Sequence, residues 1–379
     1  MTRAEIETQI LAWMRSAERE AAWPDRDEDR FERLALALYR TQYEACHPYA
    51  ALCRSLDRTP DRVVRADQIP AVPSGAFKEF DLSCFPVERA VKTFRTSGTT
   101  SERAGRLYLD RLDLYETSLL TSLRRSFLTD LTGRGVAMRF LAPSPQESPD
   151  SSLAHMFGTL LEAEGAPTPR SGFDLVNGEL DGSRLEAAVR AAHAEDEPLL
   201  IAGTSFAFVH WLDARADETL ELPPGSRVME TGGFKGRSRE VPRDELRRAI
   251  ATNFSIPEMY VVNQYGMTEL GSQFYDSTLI DPKGPRRKLL PPWTRVRFMD
   301  PVTGSDVEPG ETGLILIHDL ANTGSVAAIQ TADLGRANLD GTGTMLGFDV
   351  LGRATGAEAR GCSIAADAML GGDSGSATS

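Results

Sequence analysis

Residues Thr96–Gly105, TSGTTSERAG, hold five hydroxyl side chains and two glycines in ten positions. The hydroxyls of Thr96, Ser97, Thr99 and Thr100, with backbone N–H groups opened up by Gly98 and Gly105, are donors suited to a polyphosphate. A strand-like run, AVKTF, leads into the loop, and a helix-like segment, DRLDLYETSLLTSLRRSFLTDL, follows it. That helix is expected to add its positive N-terminal end to an anion site. The loop is not a Walker loop, because no GxxxxGK[ST] occurs. Taken alone, its residues read more readily as an ordinary polar turn.

Three further stretches carry residue types that suit a nucleotide. In NQYGMTELGSQF (263–274), Tyr265 offers a flat surface for a base, with Gly266 beside it. Thr268 offers a hydroxyl for a phosphate, and Glu269 a hard oxygen ligand for Mg²⁺. The competing reading makes Tyr265 a core aromatic and Glu269 a solvated residue at a helix start. In METGGFKGRSREV (229–241), Gly232 and Gly233 allow the backbone to lie against a planar ligand. Lys235, Arg237 and Arg239 bring positive charge to the same edge, although a glycine turn with a solvated basic flank would read the same way. In QTADLGRANLDGTG and the LGR beyond it, Asp333 is expected at a strand end, where a carboxylate accepts from two ribose hydroxyls. Arg353 is a phosphate or ribose candidate. An isolated Asp before a turn is the plainer explanation of that stretch.

The elements that must position these residues are legible in outline. A chain of 379 residues exceeds what one hydrophobic core usually serves. Residues 1–57 read as helical, broken by WPDRDEDR. From about 85 to 290, short apolar strands (VAMRFLAP, PLLIAG, SRVMETGG, EMYVVNQYG) alternate with helices (DSSLAHMFGTLLEAEG, SFAFVHWLDARA, RDELRRAIATNF). That alternation predicts α/β layers around a largely parallel sheet. A β-rich segment follows over about 291–352, and residues 353–379 form a short extension with a disordered tail from about 371. The net charge of −13 argues against a nucleic-acid partner. Cys46, Cys53, Cys84 and Cys362 lack metal-ligand spacing and suit a reducing cytoplasm. No apolar run is long enough for a membrane span, and the N-terminus does not read as a signal peptide.

Taken in order, TSGTT, GG, YGMTE and TADLG…GR resemble the adenylate-forming superfamily of acyl- and aryl-acid ligases, over about positions 70–363. IPAVPSGAFKEF, METGGFKGRSREV and GRATGAEARGCS look like one branch of it, the acyl-protein synthetases of the fatty-acid reductase complex in bacterial bioluminescence. The resemblance implies a layered α/β large domain with a β-rich subdomain, and a truncated form of the separate C-terminal domain of ~100 residues that most members carry. It implies ATP and Mg²⁺ as cofactors, a carboxylic and specifically fatty acid as substrate, and an acyl-adenylate as intermediate. The acyl group would pass to Cys362 and then to an acyl-protein reductase subunit. Mapped by motif, Thr96, Ser97, Gly98, Thr99 and Thr100 would hold phosphates, with Thr268 acting on them and Glu269 holding the metal. Gly232, Gly233, Tyr265 and Gly266 would face adenine, and Asp333 and Arg353 the ribose.

Two departures from the superfamily pattern stand out. Ala104 occupies the position of the lysine in TSGTTGxPKG, leaving Arg103 or Arg106 to supply charge. The lysine of the larger relatives' C-terminal domain also has no counterpart, and Lys235 is the candidate substitute. A thiol held near a reactive mixed anhydride has a high effective concentration, and Arg360 would favour the thiolate of Cys362. Trp211, Phe206 and Phe208 would wall an acid pocket or belong to the core. A ligase of the same fold that serves coenzyme A or a carrier protein, or a non-catalytic nucleotide-binding subunit, fits the same motifs.

Overall fold

A computed structural model describes residues 1–20, 23, 26–96, 104–167, 169–215, 218–232, 241–354 and 369. The chain forms two compact units. One comprises Met1–Thr121, Met267–Ser272 and Arg287–Ser379, and the other Ser122–Gly266 and Gln273–Arg286.

The second unit is built on a six-stranded sheet. Its strands run, in spatial order, Phe274–Tyr275, Val261–Tyr265, Arg227–Thr231, Leu199–Thr204, Ala137–Leu141 and Gly172–Phe173. Every neighbouring pair is parallel except the Phe274–Tyr275 edge. The three central strands are buried along nearly their whole length, as expected for a parallel sheet covered on both faces. Helices Ser152–Glu164, Ser205–Arg215 and Arg243–Asn253 form where the apolar spacing predicts them. A further helix, Gly182–Glu195, buries Leu185, Val189 and Ala192 against the same core. Its short alanine-rich stripe gives a weak periodic signal, and the sequence reading passed over it.

The helix that starts at Asp113 is shorter than its sequence suggests. It ends at Leu123 and widens into a π-helical turn over Arg124–Leu128. The guanidinium of Arg227, almost fully buried, donates to the carbonyl of Phe127 at 2.7 Å and to Asp130 at 2.8 Å. The first of these bonds satisfies a backbone carbonyl at the helix end, and the second pairs the guanidinium with the Asp130 carboxylate.

The first unit opens with helices Arg3–Glu18, Glu28–Ala45 and His47–Ser55. Thr2 and Glu5 form a capping box on the first helix, and Asp27, from the charged break, caps the second. A five-stranded sheet follows. Thr294–Met299, Gly313–Asp319, Ala328–Leu339 and Met345–Arg353 pair antiparallel in sequence, and Val72–Pro73 adds a parallel edge.

Two expectations are corrected here. The 96–105 loop does not run into a helix; it joins Lys92–Arg95 to Arg106–Leu109 in an antiparallel ribbon, with Phe94 opposite Leu107 and both fully buried. Four strand residues and a turn therefore separate the loop from the helix start at Asp113 along the chain. Asp333, expected at a strand end, lies inside the long Ala328–Leu339 strand, whose turn comes only at Asp340.

Candidate active site

In the second unit, the ends of the Arg227–Thr231 and Val261–Tyr265 strands run side by side, with Thr231 in register with Gln264. One residue further on lie Gly232 on one strand and Tyr265 on the other. Gly232 has φ +83°, a conformation that a side chain would strain, and no heavy atom lies within 4 Å of where a Cβ would stand. Gly266 makes a close approach instead: a Cβ there would come within 2.5 Å of Gln264 Nε2. Tyr265 is half-buried, its ring 6.2 Å from that of Phe274. This is the carboxyl end of parallel strands, the usual ligand side of an α/β sheet.

Just below those ends, the Glu230 carboxylate is only 6% exposed. It accepts from Ser205 Oγ at 2.6 Å and from the side-chain amide of Asn263. Sequence reasoning passed over this group. Its signal was an acidic residue inside an otherwise apolar strand, VMET, which a buried carboxylate needs partners to tolerate. Trp211 and Phe208 belong to the hydrophobic core with Leu185 and Phe254, as the plainer reading had it, while Phe206 is half-buried against the His210 ring.

In the first unit, Thr96 and Gly105 close the neck of the ribbon loop. The Thr96 amide donates to the Gly105 carbonyl, and the Gly105 amide donates to Thr96 Oγ1, both at 2.9 Å. Arg106, one of the two cations considered for the loop, ion-pairs with Asp81 at 2.9 Å. Thr268 is half-buried, and Glu269 is 7% exposed rather than solvated. The Glu269 carbonyl accepts from Asn322 Nδ2 at 2.9 Å. Asp333 and Arg353, twenty residues apart, are directly opposed across the two strands, with Oδ1 and Nε 3.9 Å apart. The Arg353 side chain is 68% exposed, so the pair contributes roughly 0–1 kcal/mol at most.

Behind the Thr268–Glu269 turn, Asp319 is fully buried, and desolvation raises its pKa to about 6 against hydrogen bonds from Ser272 and nearby amides. Burial likewise pushes the thiols of Cys46 and Cys53 up to about 11 and raises that of Cys84. None of these three is activated as a thiolate nucleophile. Ser97, Gly98, Thr99, Thr100, Arg103, Gly233, Lys235, Arg360 and Cys362 lie outside the described residues. Among the described residues, no cluster of three or more His, Cys, Asp or Glu side chains has the makings of a metal site. No described helix is long and apolar enough to cross a membrane.

The fold is that of the adenylate-forming ligases. It resembles a crystal structure of 2-hydroxyisobutyryl-CoA ligase in an open conformation with 2-HIB-AMP and CoA, at TM-score 0.60 and 14% identity, covering 88% of this chain and 78% of that one. A postadenylation structure of the same ligase gives 0.59 at 14% identity, covering 88% and 71%. Within that fold, the acyl-protein synthetase (LuxE) profile matches residues 179–370, and the chain belongs to that family. The long-chain-fatty-acid–luciferin-component ligase of Aliivibrio fischeri is 22% identical over 80% of this chain and 78% of its own. Its counterpart from Vibrio harveyi is 21% identical over the same shares.

Proposed function

We propose that this enzyme uses ATP to convert a fatty acid to its acyl-adenylate and then moves the acyl group to its own Cys362. The observation that carries this reading is family membership over a segment that includes the Gly232 strand end, the YGMTE turn, the Asp333–Arg353 pair and Cys362. In the first step a carboxylate oxygen attacks the α-phosphorus. The bond from that phosphorus to the oxygen bridging to the β-phosphate breaks, and pyrophosphate leaves. In the second, the Cys362 thiolate attacks the acyl carbon and AMP departs with the bonding pair.

The chain's own residues divide this work. Gly232, Gly233, Tyr265 and Gly266 hold the base. Asp333 accepts from the ribose hydroxyls while Arg353 lies beside it. Ser97, Gly98, Thr99 and Thr100 donate to phosphate oxygens from the loop whose neck Thr96 and Gly105 close. Thr268 donates to the α-phosphate, and Lys235 offsets the charge that develops there. A Mg²⁺ ion, which commonly binds through one carboxylate plus substrate phosphates, would be held by Glu269 and would neutralise phosphate charge. Glu269 suits that donor set because it is a single carboxylate on a backbone pinned by Asn322. A cytoplasmic location and an acyl-protein reductase as the final acceptor complete the proposal.

The test is pyrophosphate release with ATP, Mg²⁺ and a series of acids. Acid-dependent release that favours long alkyl chains is expected. Release that is absent, or that favours aromatic acids, would remove the fatty-acid reading.

A further inference from the structure

The turn that carries Thr268 and Glu269 rests on a second turn, Asp319–Val326, at the end of the Gly313–Asp319 strand. Asp319 Oδ1 accepts from Ser272 Oγ at 2.7 Å and from the Ala321 amide at 3.0 Å. Ser272 Oγ also meets Ser118 Oγ at 2.9 Å and Trp293 Nε1 at 3.0 Å. Asn322 Nδ2 donates to the carbonyls of Glu269 and Val326, both at 2.9 Å. The carbonyl of Asn322 itself accepts from Gln42 Nε2 at 2.9 Å, and Gln42 Oε1 accepts from the Ala327 amide at 3.2 Å. Between these anchors the backbones touch: a Cβ on Gly271 would come within 2.9 Å of Ala321 Cβ and 3.0 Å of its carbonyl carbon.

We infer that Asp319 and Asn322 are positioning residues for the nucleotide reaction, holding the Thr268–Glu269 turn through its backbone and through Ser272. The inference rests on the reading of Thr268 and Glu269 as ATP-handling groups. Three restraints within four residues, at Glu269, Gly271 and Ser272, fix a segment that forms neither helix nor strand. The buried carboxylate is a costly way to fill space, since a well-packed apolar side chain usually stabilises as much or more. What it supplies is direction: two donors converge on one oxygen, and the chain three residues upstream of Ser272 is the one that presents Glu269. A displacement of about 1 Å at such a turn is enough to cost ~10²-fold in rate.

The experiment compares wild type, Asp319→Asn and the milder Ser272→Ala in the full chain. It measures kcat, the KM for ATP and the KM for fatty acid by pyrophosphate release, and ATP affinity by calorimetry. The expected result for Asp319→Asn is a fall of about tenfold or more in kcat/KM for ATP, with the KM for the acid unchanged within about twofold. Ser272→Ala should move the same constant in the same direction by a smaller factor. Wild-type constants in both variants would overturn the inference. So would a loss that only tracks the fraction folded, equal for ATP and acid. If Asp319→Asn does not fold, Ser272→Ala decides by the same criteria. If the wild type releases no pyrophosphate with any acid, the proposed reaction fails. The positioning role is then read from ATP affinity alone, where a loss in the variants sustains it and an unchanged value refutes it.

Discussion

Replacing His318 by glutamine should make the protein more resistant to acid, and the size of the effect follows from its surroundings. His318 is half-buried, edge-on to the Phe31 ring at 5.3 Å, on the strand that neighbours the one bearing Arg295 and Arg297. Desolvation first, then the charges of Arg297 and Arg295, push its pKa down to about 3. Arg295 is itself paired with Glu28, and Arg297 with Asp306. An unfolded histidine titrates near ~6.5, so between about pH 3 and 6.5 the unfolded chain binds a proton that the folded chain refuses. Stability from this group is therefore complete above pH ~6.5 and is lost as the pH falls below it, by up to ~2 kcal/mol at pH 5.

Asp319, the next residue, pulls the other way. Its folded pKa of about 6 lies above the unfolded value near ~3.9. Its contribution rises as the pH falls through about 6, by ~1 kcal/mol at pH 5. The two partly cancel in the wild type, and the variants separate them. Urea unfolding followed by tryptophan fluorescence at pH 7 and pH 5 is the assay, with transitions fitted separately for the two units. The difference between His318→Gln and wild type should shift in favour of the variant by ~1–2 kcal/mol on going to pH 5. Any loss of the ring contact with Phe31 is independent of pH and drops out of that shift. A shift below about 0.5 kcal/mol would refute the assignment of a neutral, desolvated imidazole.

Two other outcomes are expected. Arg139→Met strands the fully buried Asp174 carboxylate, whose pKa desolvation already raises, and should cost ~3–5 kcal/mol by denaturant unfolding; Arg139→Met with Asp174→Leu should recover most of that loss. Asp333→Ala removes an acceptor proposed for the ribose and should raise the KM for ATP about tenfold while leaving the KM for the acid unchanged.

How much of this was legible in the sequence depended on how local the cause was. Apolar runs such as PLLIAG and SRVMETGG formed central parallel strands because continuous burial is written into consecutive residues. The second strand of the ribbon that flanks the 96–105 loop escaped notice, since RLYL reads as a strand only once KTFR is known to pair with it. Asp333 looked like a strand terminus because DLG resembles a turn, yet pairing with Met345–Arg353 carries the strand through it. That same pairing sets Asp333 opposite Arg353, the two residues read from the sequence as ribose candidates. Glu230 with Asn263, and Glu269 with Asn322, are joined across 33 and 53 positions, a separation that leaves no periodic trace.

The most direct test of the central claim is the intact mass of the protein after incubation with ATP, Mg²⁺ and long-chain fatty acids, for wild type and Cys362→Ser together. The account predicts a mass increase equal to one acyl group on the wild type, removed by hydroxylamine and absent from the serine variant. Accumulation of AMP and pyrophosphate with no adduct on the wild type, or an adduct that persists in Cys362→Ser, would contradict it.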